Sequence, residues 1–305
     1  MLGGLRTSGQ YPVARTDAQH SLKASMPGFT VIEVMIVLAV TGLLFISSVA
    51  LISGKQNQTA FDQAIREIQS QIQQTVNEVS IGFYPNLGNV QCNGTGGTVT
   101  LTNATGTGQG ANAGCIFLGK ALQFQVGTTD PEAFNVYSIA ALQKGGAGGT
   151  ESSTLSEAKP KVIAPSPTAG VTLPDSTTSA TLQDGLTTYK MWYNNGAGNK
   201  DIGIVGFVSS LAKYDASTGA IVSGSQQVDV APIDDGNVKS KLGQDKNSAV
   251  DILNSKLPTA TTNPSGGVFI CFVSGGTNQS GLITIGSNGR QLSVNLTIKS
   301  NKTCS

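Results

Sequence analysis

The sequence has little charge and no marked excess of either sign. Charged residues make up 12% of its 305 residues, and the formal net charge is +1. Nucleic-acid-binding domains usually have a clear basic excess, so this composition argues against DNA or RNA as the main partner. Glycine is abundant instead, with 38 residues, and polar uncharged residues are plentiful. This texture is more typical of a surface protein than of a cytosolic enzyme.

Histidine is almost absent. The single histidine is His20, which lies in the polar N-terminal 28 residues. Histidine is the most frequent general acid or base and the most frequent metal ligand. Its absence from the rest of the chain excludes Ser-His-Asp, Cys-His and most zinc arrangements there, and no paired-carboxylate constellation stands out. The sequence therefore predicts no enzymatic activity, no cofactor and no metal site.

Cysteines are few and widely spaced: the chain has Cys92, Cys115, Cys271 and Cys304, with no CxxC pair. An even number in an exported chain predicts two disulfides, and four cysteines allow three connectivities. Cys92–Cys115 and Cys271–Cys304 are favoured, because each pair is close in sequence and would tie down a loop or a tail. The alternative is that the cysteines are buried free thiols.

Proline is missing between Pro27 and Pro85, so a helix can run through this stretch. From Phe29 to Ile52 the residues are apolar apart from a single charge, Glu33. At about 1.5 Å per residue this run spans roughly 36 Å, which is enough to cross a bilayer core. The segment before it is polar and mildly basic, unlike an ordinary secretory signal. It favours a cytoplasmic N-terminus, with the bulk of the chain outside.

The apolar pattern continues beyond the spanning segment, but on one face only. Its spacing of three and four residues is that of an amphipathic helix, and it is carried by Phe61, Ile65, Ile68, Ile72, Val76 and Val79. We therefore predict one helix over residues 29–81, with a transmembrane half at 29–52. Gly82 and Pro85 would end it. The apolar stripe of the second half should pack on the globular domain that follows.

The residues around the start of the apolar run resemble a known signal. Gly28-Phe29-Thr30-Val31-Ile32-Glu33, followed by the long apolar stretch, is similar to the class III signal of type IV prepilins and type II secretion pseudopilins. The resemblance implies that the membrane aspartyl prepilin peptidase cuts after Gly28, removing a leader of residues 1–28, and methylates the new N-terminal Phe29. A start at Met26 would leave a much shorter leader; we favour the longer one.

Glu33 is the charged residue of the apolar run. A carboxylate inside hydrocarbon costs about 3 kcal/mol on insertion scales, so it normally has a partner. The resemblance implies that this partner is the N-terminal amine of Phe29 of a neighbouring subunit, which would set the axial register of a filament. The alternative is that Glu33 has no role in assembly and is a single protonated glutamate that a membrane anchor tolerates.

Gly42 interrupts the apolar run with a residue that weakens helices by about 1 kcal/mol relative to alanine. In related filaments this part of the helix can unwind on assembly, which makes Gly42 a candidate for helix melting. Glycines are also close-packing sites between membrane helices, and the chain lacks the helix proline that some pilins carry further on. Both interpretations stay open.

Residues 86–305 are predicted to form an extracellular, β-rich globular domain. Within it, a stretch of about 141–187 has few large apolar residues and is predicted to be a flexible or inserted segment. Strand-like runs occur at Cys115–Leu118, Leu122–Val126, Phe134–Ile139, Thr187–Tyr193, Ile202–Ser209, Ala220–Val228, Gly267–Val273, Leu282–Ile285 and Gln291–Ile298. The fold class is therefore α+β: a long N-terminal helix, first membrane-spanning and then amphipathic, packed on an antiparallel β-sheet domain.

The last strands are similar to the C-terminal part of GspH- and FimT-type minor pilins. The matching stretch here is VFICFVSGGTNQSGLITIGSNGRQLSVNLTI. In those proteins a cysteine-bearing strand leads into a second strand, a Gly-rich turn and a last strand. The resemblance leans towards a minor subunit, although a major subunit stays open.

Each of three further features can be interpreted either as an ordinary structural feature or as a functional site. A basic tail of Arg290, Lys299 and Lys302 could bind DNA, but it lacks interleaved aromatic residues and is better explained as a solvated tail. The turn 234–237 has oxygen ligands, yet it lacks the spacing of a calcium loop. Trp192, flanked by Tyr189 and Tyr193, would form either an adhesive aromatic patch or, for part of the set, core packing.

Together these patterns predict a structural subunit of a type IV pilus-like filament. Its expected partners are other pilin subunits, prepilin peptidase and the membrane before assembly; a surface ligand is left open and DNA is disfavoured. It would sit in the cytoplasmic membrane as a single-pass protein and then in an extracellular pilus on the cell surface. The alternatives are a type II secretion pseudopilin, which neighbouring secretion genes would favour, and a tip adhesin or DNA-uptake pilin.

Overall fold

The computed structural model describes residues 28–82, 90–94, 99–103, 114–125, 132–163, 177–211, 213–214, 221–223, 228–234, 246–288 and 291–304. The chain divides into two compact units, Met1–Leu51 and Ile52–Ser305. The predicted leader, apart from Gly28, lies outside the described residues.

Helix α1 spans Val31–Ser80, one to two residues shorter at each end than predicted. In the first unit, the helix contains one segment, Val31–Val49, that is long and apolar enough to cross a membrane. The helix ends where the sequence indicates, because Gly82 adopts a positive φ of 67° and its N–H donates to the Val79 carbonyl. This is the left-handed conformation that glycine adopts readily after a helix.

The second unit contains the C-terminal part of α1 and a set of strands joined by short helices. The strands are β1 Val90–Asn93, β2 Thr100–Asn103, β3 Cys115–Phe124, β4 Ala133–Leu142, β5 Lys161–Val162, β6 Thr177–Thr181, β7 Leu186–Asn194, β8 Asn199–Asp201, β9 Ile204–Ser209, β10 Lys213–Tyr214, β11 Ile221–Ser223, β12 Val228–Ile233, β13 Val268–Ser274, β14 Ser280–Asn288 and β15 Gln291–Lys299. The helices are α2 Leu155–Ala158 and α3 Lys246–Lys256, with 3₁₀ turns at Ala147–Gly149 and Leu257–Thr259.

Two antiparallel sheets organise this unit. The first has the order β12-β9-β3-β4-β5, with β6 also paired to β4, and the second has the order β15-β14-β13-β7-β8. β1 with β2 and β10 with β11 form two separate hairpin-like pairs. The predicted mixture of helix and antiparallel sheet is confirmed.

The main hydrophobic core contains side chains from α1 and from both sheets. Helix α1 contributes one buried stripe at helical spacing: Phe61, Ala64, Ile65, Ile68, Ile72, Val76 and Val79. The first sheet contributes Leu122, Phe124, Phe134, Val205, Phe207, Val228 and Val230, and the second contributes Met191, Tyr193, Val268, Ile270, Phe272, Ile283, Ile285 and Val294. The stripe that the sequence predicted is therefore buried, as a helix with one apolar face requires.

The opposite face of the first sheet is covered as well. Its side chains Leu118, Tyr137, Ile139, Ile204 and Val208 are buried in a second cluster with Ala249, Leu253 and Leu257. Helix α3 therefore gives the first sheet a second buried face, which explains why β3 and β4 have almost no exposed residues.

Two polar contacts fix α1 residues on neighbouring strands. Gln69 Nε2 donates to the Val294 carbonyl of β15 at 3.0 Å, and Lys120 Nζ of β3 donates to Glu78 Oε2 at 2.5 Å. Burial raises the pKa of the Glu78 carboxyl, but hydrogen bonds from Lys120 and Gln74 and the charge of Lys120 outweigh it, so the net pKa is lowered. Glu78 therefore stays ionised at neutral pH and keeps this ion pair.

Gly281 of β14 lies directly against the α1 side chain Ile65. A Cβ placed there would lie 2.6 Å from Ile65 Cδ1 and 2.7 Å from its Cγ1. Ile65 is fully buried and cannot swing away. Gly281→Ala is therefore expected to destabilise the protein by about 1–3 kcal/mol, the usual cost of overpacking, measured by thermal unfolding followed by circular dichroism.

The control for that change is Gly275→Ala, because a Cβ at Gly275 meets no atom within 4 Å. Its expected effect is within about 0.5 kcal/mol. In the double variant Gly281→Ala/Ile65→Ala, the measured loss of stability should be clearly smaller than the sum of the losses of the two single variants. Additive losses would show that Gly281 and Ile65 do not contact each other in solution.

The stretch of about 141–187, predicted to be flexible or inserted, contributes to the first sheet in its described parts. β5 and β6 both pair with β4, and the segment buries Ala158, Val162, Ile163 and Leu182. These four buried side chains and the two strand pairings attach the described parts of the segment to the first sheet. Residues 164–176 lie outside the described part.

Candidate functional site

The head of α1 is defined by an N-terminal cap that was not among the sequence predictions. The backbone N–H of Glu33 donates to Thr30 Oγ1 at 3.3 Å and to the Thr30 carbonyl at 3.0 Å. Thr30 therefore occupies the N-cap, and Thr30-Val31-Ile32-Glu33 has the Thr-x-x-Glu spacing of a capping box. That spacing was readable in the sequence. It makes Phe29 the residue immediately outside the helix.

Gly28 and Phe29 are exposed ahead of that cap. A Cβ at Gly28 would meet no atom within 4 Å, and Phe29 is 81% exposed. A peptide bond on an exposed, non-helical segment can enter a protease active site without unfolding its surroundings. The geometry is thus compatible with cleavage between Gly28 and Phe29, which stays a prediction.

Glu33 is exposed in the first turn of α1. A carboxylate there interacts favourably with the positive end of the helix dipole. Residues 28–49 contain no Lys, Arg or His, so a formal positive charge within this segment can come only from a new N-terminal amine. If residues 1–28 are removed, each chain has one such amine, on Phe29.

The hydroxyl side chains of the apolar segment form hydrogen bonds to backbone carbonyls of the same helix. Thr41 Oγ1 donates to the Val37 carbonyl at 2.8 Å, Ser47 Oγ to Leu43 at 2.9 Å, and Ser48 Oγ to Leu44 at 2.8 Å. A hydroxyl that bonds the carbonyl four residues back carries little cost into lipid. Within residues 31–49, Glu33 is consequently the side chain whose polarity most needs an external partner.

The apolar side chains of the same segment are exposed all around the helix. The large ones between residues 29 and 49 range from 45% exposed for Val34 to 81% for Phe29. A soluble protein rarely leaves a continuous apolar surface of this size in water. By its length and its apolar surface, the segment Val31–Val49 could cross a membrane.

Gly42 lies in the middle of this segment, within the unbroken helix. A Cβ there would meet no atom within 4 Å. Neither helix melting nor close packing between helices is visible in the single chain, so both interpretations of Gly42 stay predictions.

Cys271 and Cys304, one of the two predicted pairs, form a disulfide with a Cα–Cα distance of 5.9 Å. Cys115 is also disulfide-bonded. The side chain of Cys92 lies outside the described residues, so its pairing with Cys115 stays a prediction.

The other sequence candidates are scattered. Asp234 accepts a hydrogen bond from Lys200 at 3.0 Å, which together with its charge raises the pKa of Lys200, while residues 235–237 lie outside the described part. Lys302 is exposed, and Arg290 and His20 lie outside the described residues. Among the described residues no group of three or more His, Cys, Asp or Glu side chains could hold a metal ion.

The aromatic set is divided between two faces. Met191 and Tyr193 are buried in the main core, whereas Tyr189 is 60% exposed and Trp192 stacks on Phe269 with ring centroids 5.4 Å apart.

No protein-family model, curated protein or solved structure matches the chain. What the protein does must therefore be argued from its own residues.

Proposed function

We propose that the chain is a structural subunit of a type IV pilus-like extracellular filament. Prepilin peptidase would cut it after Gly28 and methylate Phe29. The subunit would reside in the cytoplasmic membrane as a single-pass protein with its C-terminus outside, and would later be extracted into a pilus on the cell surface. The proposed role is structural, without enzymatic activity, and its main partners are other copies or related pilin subunits.

The observation that carries the proposal is the composition of the first half of α1. It combines an apolar surface exposed all around, internally bonded hydroxyls and one carboxylate in its first turn. A simple anchor needs only the apolar surface. The carboxylate costs about 3 kcal/mol in lipid on insertion scales, and its interaction with the helix dipole, about 0.3–1 kcal/mol, offsets only part of that cost. A filament of like helices can use both.

Glu33 would act in assembly through the amine that cleavage creates. In a helix bundle with a low effective dielectric, attraction between this carboxylate and the Phe29 amine of a neighbour is much stronger than in water. Because each chain carries one of each group, head-to-tail pairing can repeat without limit. Such a heterologous contact produces an open helical filament when the rotation between successive subunits does not close into a ring.

The second unit would form the outer part of the filament. Its α1 residues from Phe61 to Val79 are buried among strands of both sheets, which supports an arrangement in which a long helix is packed on the sheet domain. This burial would keep the sheet domain attached to residues 61–79 of the helix when the subunit is extracted from the membrane.

The experiment that tests the proposal determines the N-terminus and intact mass of protein sheared from the cell surface. The expected product starts at Phe29 and is heavier by one methyl group. A strain lacking prepilin peptidase is the control; it should keep residues 1–28 and release no sheared protein. A surface product that retains the leader would overturn the proposal.

A further inference from the structure

The face of the second sheet that points away from the main core carries an aromatic cavity. It has a volume of about 340 Å³ and is lined by Tyr189, Lys190, Trp192, Asn199, Thr303 and the disulfide of Cys271 and Cys304. In β7 and β13, Trp192 lies opposite Phe269 and Lys190 lies opposite Cys271, so these residues share this face. None of this surface is used by the proposed assembly helix.

A β-bulge turns Tyr189 towards the cavity. In the pairing of β7 with β13, Lys190 faces Cys271 and Thr188 faces Phe272, which leaves Tyr189 as the extra residue. Strict alternation would have placed Tyr189 with the buried Met191 and Tyr193. The bulge makes it 60% exposed instead. Bulges of this kind often re-aim a side chain at a binding site.

Trp192 is held in place from two directions. Its ring stacks on Phe269 with an interplanar angle of 14°, and Lys190 Nζ lies 5.6 Å from its centroid. The disulfide brings Thr303 and the chain end to the same cavity. A pre-organised aromatic side chain loses little entropy on binding, which favours recognition by a rigid platform.

Two lysines at or near the cavity are paired with carboxylates. Lys190 pairs with Asp201, Nζ to Oδ1 3.1 Å, and the nearby Lys200 pairs with Asp234. A site for nucleic acid would need an excess of positive charge along the backbone path. The remaining polar side chains at the cavity, Asn199 and Thr303, are neutral and can donate and accept hydrogen bonds.

We propose that this cavity binds a neutral oligosaccharide, with the exposed ring of Tyr189 contacting the apolar C–H face of a sugar ring beside the fixed Trp192, and with Asn199 and Thr303 bonding its hydroxyls. Apolar walls with a few placed polar groups are the usual design of small-ligand sites. The inference goes beyond filament assembly and is tested on unassembled protein, so its failure would leave the assembly proposal intact.

The chain has a single tryptophan, so its fluorescence reports on this cavity alone. The full chain is kept in a detergent without a sugar headgroup and titrated with lactose, maltose, cellobiose and chitobiose. At least one disaccharide should change Trp192 emission with a dissociation constant of about 1 mM or lower, and isothermal calorimetry should give the same constant.

Two variants of the exposed Tyr189 then test the site. Tyr189→Ala should weaken binding about tenfold, because it removes one stacking contact, whereas Tyr189→Phe should keep most of it. Binding of no sugar up to about 10 mM, or binding that Tyr189→Ala leaves unchanged, would overturn the proposal. So would binding of oligothymidylate that declines with salt in the absence of any sugar binding, since it would identify a nucleic-acid site.

Discussion

Glu33→Gln is expected to reduce sheared surface filament to about a tenth of the wild-type amount or less, while membrane insertion stays intact. A loss of only about 1.4 kcal/mol per subunit contact corresponds to tenfold, and an ion pair in a helix bundle exceeds this value more readily than one in water. An uncharged amide is no more costly to insert than the carboxylate, for which the cost is about 3 kcal/mol, so the variant should enter the membrane at least as well as the wild type.

Glutamine is chosen because Glu33 has two candidate roles at the head of α1: its charge could act in assembly, and its side chain could cap the helix. The backbone bond to Thr30 Oγ1 places Glu33 at the third helical position, where both Glu and Gln can complete a capping box. Glu33→Gln preserves that capping ability and removes only the charge. Glu33→Ala removes both. If the charge acts in assembly, the two variants should have similar defects.

The measurement is an immunoblot of sheared and membrane fractions, with Glu67→Gln as the matched control. Glu67 is an exposed carboxylate on the same helix, hydrogen-bonded only within its own turn by Gln71 among the contacts described. Its neutralisation should leave filament yield close to wild type. Normal filament from Glu33→Gln together with a defect in Glu33→Ala would assign Glu33 to capping, and normal filament from both would end its proposed assembly role.

The helix was predictable because its signals are local. A spacing of three and four residues, the absence of proline and the glycine at position 82 together place α1 to within two residues. The buried stripe from Phe61 to Val79 follows from the same period. The last three strands were predictable for a similar reason: alternation and Gly-rich turns bound β13, β14 and β15.

The central region could be predicted only in part, because its elements depend on tertiary contacts. Two separate runs were expected where β3 is one strand, Cys115–Phe124, with an irregular register between Phe117 and Gly119. The run Ala220–Val228 was expected as one strand, yet β11 ends at Ser223 and β12 begins at Val228. Helix α3 was not predicted: its own sequence is weakly apolar, and it is held by burial of Ala249 and Leu253 on the first sheet.

The assembly motif and the aromatic cavity also differ in how far each could be predicted from local sequence. The residues around Gly28 and Glu33 form a contiguous motif, so the assembly site could be read from the sequence. The aromatic cavity depends on the bulge at Tyr189 and on a disulfide across 33 residues. A one-residue shift in register exchanges the two faces of a strand, so alternation in the sequence cannot show that Tyr189 faces the cavity.

Gly28→Leu is expected to block leader removal and, with it, all surface filament. In the subunit, Gly28 is exposed and a Cβ there would meet no atom within 4 Å, so the larger side chain should not disturb folding. Loss of processing would then reflect a narrow peptidase pocket rather than a misfolded substrate. Without cleavage no Phe29 amine is formed, and the proposed partner of Glu33 is missing as well.

Gly42→Ala is the matched control, because a Cβ at Gly42 also meets no atom within 4 Å. It should be processed normally and should stabilise the helix by about 1 kcal/mol. Mass spectrometry of the membrane fraction distinguishes the outcomes, since the Gly28→Leu chain should keep residues 1–28. A mature product from Gly28→Leu that starts at Phe29 would exclude glycine specificity at the cut. Filament assembled from an uncut chain would show that the free Phe29 amine is not needed, and the pairing with Glu33 would have to be abandoned.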